Sequence, residues 1–221
     1  MEFTEFWTIC SLNGIILDES MNRNIQRFQQ ELMYWNERIN LISRQDTKYI
    51  LEKHILHSLV ILKYEKISYK ARVIDVGCGA GFPGTILKIA RPDIFITLLD
   101  SVKKKLKIAE MLARHTSLRN ITAIATRVET FSEDPKNWEK FDYIVSRAVA
   151  TTDKLIQWSN KLLKPNGKFI FLKGGDLEQE INDAKKVFPY YIFNEITIDL
   201  IGYDYFKKEN KKVLIIEKKV I

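Results

Sequence analysis

The chain has 221 residues, 46% of them hydrophobic and 29% charged, which is enough for one sizeable core and excludes a disordered, collagenous or disulfide-stapled protein. Its 35 Lys and Arg exceed its 28 Asp and Glu, and the net charge of +7 suits an anionic partner such as nucleic acid, though a lysine-rich solvated surface gives the same balance. Two cysteines, Cys10 and Cys78, indicate neither a disulfide framework nor a zinc site; no apolar run nears the roughly 20 residues that span a bilayer, and MEFTEFW lacks a signal-peptide pattern, so a cytoplasmic protein without metal or membrane is expected.

The first third reads as helix. Phe3, Phe6, Trp7 and Cys10 form one stripe that Asn13 and Gly14 stop. Ile25, Phe28, Leu32, Trp35 and Ile39 recur at intervals of three and four, and Leu51, Ile55, Leu59 and Leu62 mark a third helix. From residue 72 onward strands alternate with helices. The strands are expected at 72–76, 95–99, 121–125, 142–146 and 168–172, with helices around 84–90, 102–115, 152–163 and 177–187. Two final extended runs, 190–199 and 212–218, are joined by a loop with no helix and are expected to pair antiparallel at one edge. This order predicts an α/β, Rossmann-like fold: a mostly parallel sheet with an antiparallel C-terminal edge strand, preceded by an N-terminal helical extension. The boundary falls between a helical extension at 1–66, packed on the core, and a Rossmann-like domain at 67–221.

The segment 72–84, RVIDVGCGAGFPG, carries the chemistry. Val73, Ile74 and Val76 suit a buried strand, and Gly77, Gly79 and Gly81 let the following turn bring backbone N–H groups against a ligand. Pro83 fits the first position of the next helix. Gly79, Gly81 and Gly84 also satisfy the dinucleotide fingerprint, a weak signal by itself. Asp75 separates the readings: a carboxylate just before the first glycine repels a pyrophosphate but suits the ammonium and sulfonium of S-adenosyl-L-methionine, directly or through water. Asp100, about 20 residues past the glycines, can accept from both ribose hydroxyls, a role that NAD enzymes share. A NAD-dependent oxidoreductase and a non-catalytic RNA-binding protein with the same nucleotide fold therefore stand as alternatives.

Further along, Trp35-Asn36 with Asn40-Leu41, HILHSL at 54–59, LLDS at 98–101, RVETF at 127–131, SRA at 146–148 and LKG at 172–174 complete a set of motifs over most of the chain. In these the chain resembles the ribosomal RNA small-subunit methyltransferase G family, also called the glucose-inhibited division protein B family. One departure is visible at His57, where the family pattern more often has an acid. The resemblance implies a Rossmann-like methyltransferase that transfers a methyl group from S-adenosyl-L-methionine to N7 of one guanine in 16S ribosomal RNA of the small subunit; a monomer is expected, although the sequence carries no signal for oligomeric state. It also implies that Gly77 and Phe82 line the cofactor, Val128 and Glu129 face the adenine, and Arg147 closes the site.

Each has a plainer counterpart. Glu129 can simply open a short helix, and Arg147 can pair with Asp142 or Asp153. Lys173-Gly174-Gly175 can meet RNA phosphate or merely turn the chain, and His54 and His57 can be packed residues. Guanine N7 bears an unprotonated lone pair, so its methylation asks for positioning and no residue is expected to be catalytic. A same-fold methyltransferase acting on a small molecule or a protein is the nearest alternative. Two lysine clusters, 103–105 with Lys107 and Lys207, Lys208, Lys211 and Lys212, offer either a phosphate dock or a solvated face.

Overall fold

The computed structural model describes residues 1–219; Val220 and Ile221, at the end of the expected second domain, lie outside the described residues. Helices α1 (Phe3–Leu12) and α2 (Glu19–Asn36) open the chain, and the Asp18 carboxylate caps α2 by accepting from the Met21 N–H. The third helix expected from one stripe is instead a series of turns. A 3-10 turn (Arg44–Tyr49) leads to a π-helical turn (Leu51–Leu56), then to α3 (His57–Leu59) and α4 (Ile61–Tyr64). The apolar stripe is kept, with Leu51, Ile55 and Leu59 buried. Spacing fixes the buried face but does not distinguish a π winding from an α winding.

Strand β1 (Arg72–Val76) is central, followed by α5 (Gly84–Ala90), β2 (Phe95–Asp100), α6 (Lys103–His115), β3 (Ile121–Ala125), α7 (Val128–Glu133), β4 (Phe141–Arg147), α8 (Thr152–Ser159) and β5 (Leu163–Gly174). After α9 (Glu178–Val187) come β6 (Tyr191–Thr197), α10 (Tyr205–Lys208) and β7 (Lys211–Lys218). The sheet order is β3-β2-β1-β4-β5-β7-β6, parallel except for β7, which pairs antiparallel with both neighbours. The antiparallel C-terminal edge is thus present, with β7 threaded between β5 and β6. Burial explains the placement: Val213, Leu214, Ile215 and Ile216 are apolar on both faces, whereas β6 buries little beyond Tyr191 and suits an edge.

Alternation along β1 sends Val73 to one face and Ile74 and Val76 to the other. The first face shares a continuous core with Ile25, Phe28 and Leu32 of α2 and with Ile86 and Leu112 of α5 and α6. The second packs Leu155 and Ile156 of α8 against Phe169, Phe171 and Leu214. The chain turns outward in opposite directions from β1 and β4, so a crevice opens beyond their C-terminal ends. One correction concerns the 199–212 connection, expected as loop alone. It contains α10, whose Phe206 is buried; four residues carry no periodicity by which a sequence could announce them.

Candidate active site

The glycine turn is tied to the sheet through its backbone. Gly77 and Cys78 N–H groups donate to the Leu99 carbonyl, and the Gly79 N–H donates to Asp100 Oδ2 at 2.8 Å. Asp100 Oδ1 accepts from the Val102 N–H at 2.7 Å, so one carboxylate fixes both the turn and the entry to α6. Gly77 has φ +71°, and a Cβ there would lie 2.3 Å from Val149 Cγ2. Pro83 stands one residue before α5 instead of at its first position.

Two cavities meet at this turn. The larger, 730 Å³, is bounded by the turn with Phe82, by Lys53 and His54 of the helical segment, by Arg147, and by Tyr205 and Lys211. The smaller, 310 Å³, lies between the ends of β2, β3 and β4 and is lined by Val128, Glu129, Val149 and Trp158. Gly77 and Asp100 line both, forming the saddle between them. Val128 and Glu129 open α7, so their N–H groups are among those a helix leaves without internal partners.

Arg147 closes the larger cavity from the end of β4. Nη2 lies 2.9 Å from His54 Nδ1, Nη1 donates to the Lys53 carbonyl at 3.1 Å, and Cζ stands 4.9 Å over the Phe82 ring. Neither Asp142 nor Asp153 pairs with it; Asp142 holds Lys164 and the Arg72 N–H. Burial lowers the Arg147 guanidinium to about 10, with Asp75 and Asp46 opposing. Burial and then Arg147 lower His54 to about 3, leaving a neutral ring whose Nδ1 accepts from the guanidinium. His57 stacks on Phe206 with ring centroids 5.2 Å apart, and burial drives it well below its usual value.

Asp75 is placed differently from the other acids. It is fully buried beneath the turn, lines neither cavity, and accepts from the Gly84 N–H at Oδ2, 2.7 Å away, while Oδ1 has no protein partner. Direct contact with a ligand is therefore closed to it. Burial pushes its carboxyl up to about 7 from an ordinary 3.8, against the Gly84 N–H and Arg147, with Asp100 adding repulsion. Between these values the folded chain keeps a proton that the unfolded chain releases. This contribution to stability is complete below pH 4 and is lost as the pH rises through 7. The neutral His54 and His57 tilt the other way, since theirs is present above 6.5 and lost as pH falls. Asp75→Asn should therefore raise melting temperature relative to the parent progressively from pH 4 to 7, by up to about 4 kcal/mol of stability. Calorimetric scans without ligand test this, and a pH-independent difference contradicts it.

Comparison with known proteins places the chain. The family profile described as rRNA small subunit methyltransferase G matches residues 21–201. A relative of that name from Desulforamulus reducens is 38% identical over 170 residues, covering 77% of this chain and 71% of the relative. Another, from Lactococcus lactis subsp. cremoris, is 31% identical over 216 residues, covering 97% and 90%. The chain belongs to the rRNA small subunit methyltransferase G family. Solved structures agree on fold: the YcgJ protein from Bacillus subtilis superposes with TM-score 0.58 at 15% identity, covering 76% of this chain and 100% of that one. The precorrin-6y C5,15-methyltransferase from Geobacter metallireducens gives 0.55 at 14% identity, covering 82% and 92%.

Within this methyltransferase family frame, the sequence-derived residues Gly77, Gly79, Phe82, Asp100, Val128, Glu129 and Arg147 gather around the two cavities, and Asp75 supports them from below. Asn36 was not singled out, although its buried side chain organises one wall: Oδ1 accepts from the Leu41 and Ile42 N–H groups, both at 2.9 Å. The Trp35-Asn36 and Asn40-Leu41 motif is the signal that could have found it. Lys53, Lys105, Lys173 and Lys211 line the larger cavity, while Lys207, Lys208 and Lys212 of the second cluster pair with Asp199, Asp204 and Glu195. No helix among the described residues is long and apolar enough to cross a membrane.

Proposed function

We propose that this chain is an S-adenosyl-L-methionine-dependent methyltransferase that methylates N7 of a specific guanine in 16S ribosomal RNA of the small subunit. The observation that carries the reading is the pair of cavities joined over Gly77 and Asp100, with a guanidinium that touches no carboxylate on one side and a helix N-terminus on the other. The residues fit the cofactor: Gly77 carries no side chain over the saddle and lets Val149 pack directly against it, and each Asp100 oxygen retains acceptor capacity for a ribose hydroxyl. The first N–H groups of α7 and the Val128 side chain suit an adenine edge and face, and Arg147 suits the carboxylate of the methionine part. When bound, S-adenosyl-L-methionine supplies the electrophilic methyl group.

The chain's own task is positioning. N7 needs no base, in keeping with His54 and His57 as neutral buried rings. Regular A-form RNA hides N7 in a deep, narrow groove, so the target base must be splayed out, and the outer part of the larger cavity, between Lys53 and Tyr205, receives it. Arg44 and Lys105 line an adjoining depression that can take backbone phosphates, with Lys103 and Lys104 opening the same helix as Lys105. Incubating undermethylated small subunits with the protein and S-adenosyl-L-methionine should give a single 7-methylguanine in 16S RNA by mass mapping. Methyl incorporation into a protein or small molecule with none in RNA would support the same-fold alternative instead.

A further inference from the structure

Lys173 ends β5 next to Gly174, where its position in sequence offers it to RNA phosphate. The residue borders the larger cavity, but its ammonium is already committed: Nζ donates to the Ala150 carbonyl and to Glu180 Oε1, both at 2.7 Å, and the side chain is 11% exposed. The same Glu180 oxygen accepts from the Thr152 N–H at 2.7 Å and from the Thr152 hydroxyl, and Thr152 is fully buried. Three donors thus converge on one carboxylate oxygen. Burial opposes the charge on Glu180, but Lys173 and Thr152 outweigh it and hold the carboxyl below its usual range. Thr151, at the N-cap of α8, makes no side-chain cap, so Glu180 reaches across from α9 to satisfy the first N–H of that helix.

What this network holds is the loop between Arg147 and α8. Ala148 has φ +55°, a left-handed conformation uncommon outside glycine, and it turns the chain sharply out of β4. Val149 consequently lands on Gly77, where its Cγ2 occupies the position 2.3 Å from a would-be Cβ, and it lines the smaller cavity together with Val128. Any ligand that spans both cavities passes over Gly77 and therefore against Val149. One end of the loop is Arg147 itself; the other is fastened by Ala150 and Thr152 to Lys173 and Glu180.

We infer that Lys173 and Glu180 are positioning residues, which fix the loop 148–151 so that Val149 flanks the saddle at Gly77 and which thereby set cofactor affinity, without Lys173 meeting RNA. This rests on the cofactor reading proposed above. Isothermal titration calorimetry with S-adenosyl-L-methionine on the parent, Glu180→Gln, Val149→Ala and the double variant tests the coupling. Glu180→Gln should weaken binding about tenfold, and the double variant should bind no more weakly than the weaker single, because Glu180 acts through Val149. A general loss of structure would instead give multiplied losses that track melting temperature. Lys173→Arg should retain affinity, whereas Lys173→Met should lose it to the same extent as Glu180→Gln.

A second readout concerns RNA. The salt dependence of 16S RNA binding should be the same for Lys173→Met and the parent, whereas loss of a phosphate contact would lower the slope by about one. Multiplied losses in the double variant, undiminished cofactor affinity in Glu180→Gln and Lys173→Met, or a lowered salt slope would each overturn the inference. A parent that binds no S-adenosyl-L-methionine overturns the proposed function along with it. A parent that binds while the variants bind equally well removes only this inference.

Discussion

Arg147→Met is expected to weaken S-adenosyl-L-methionine binding by about 100-fold or more, the equivalent of roughly 3 kcal/mol or more. The guanidinium sits in the larger cavity with a neutral imidazole, a carbonyl and an aromatic ring as partners, and none of them supplies negative charge. Burial at that site already disfavours its charge, lowering it to about 10. In the proposed complex a ligand carboxylate there would complete an enclosed ion pair, and removing one member of such a pair costs about 3–5 kcal/mol. Met keeps the apolar contact over Phe82, so the melting temperature without ligand should hold or rise, because a poorly compensated charge has been removed. Lys at this position should recover part of the affinity, since it restores charge without the planar fork that reaches His54 and the Lys53 carbonyl together. His54 supplies a second readout. Burial is the main cause of its low value and Arg147 the next, so its titration by NMR should move upward in the Met variant while staying below 6.5. A loss of affinity under threefold would remove Arg147 from the proposed site.

Gly77→Ala is the second large effect. At φ +71° an L side chain costs about 1–2 kcal/mol, which for a chain of this size lowers the melting temperature by about 2–8 °C. The added Cβ would also lie 2.3 Å from Val149 Cγ2, so Val149 must be displaced within the smaller cavity. Cofactor affinity should therefore fall by at least about tenfold beyond any change in folding, since the saddle and one wall of the smaller cavity, the proposed adenine site, are altered together. Combining Gly77→Ala with Val149→Ala relieves the collision and should restore part of the affinity, but not the melting temperature, because the backbone cost at Gly77 is untouched. Calorimetry on the two variants separates these components. An affinity unchanged in Gly77→Ala would place the ligand elsewhere than over the glycine turn.

The order of strands and helices, the glycine turn and the acid ending β2 were legible because each is written in a few adjacent residues. Period-two and period-three-to-four apolar spacing marks which elements form, and the left-handed turn can be read from glycines at alternate positions. Asp100 and Arg147 could be placed because both end parallel strands, where open sheets of this kind hold their ligands. The place of β7 between β5 and β6 was not written that way. It follows from a competition for the interior that the apolar run at 213–216 wins over the half-polar β6. The same holds for α10, too short to show a period, and for the π turn inside a stripe that fits an α-helix equally well.

The sequence by itself therefore determined the fold class, the position of the nucleotide loop and the family, because these depend on short-range patterns and on motifs that survive without knowledge of packing. Only the tertiary structure decided what those residues do to one another. It brought His54 from the helical segment onto Arg147 and committed Lys173 to Glu180 and Ala150. It also withdrew Asp75 from the cavities into a buried position under the turn. Each outcome is a contact between elements far apart in the chain, set by how the sheet is ordered and what its two faces bury, and no local pattern encodes it.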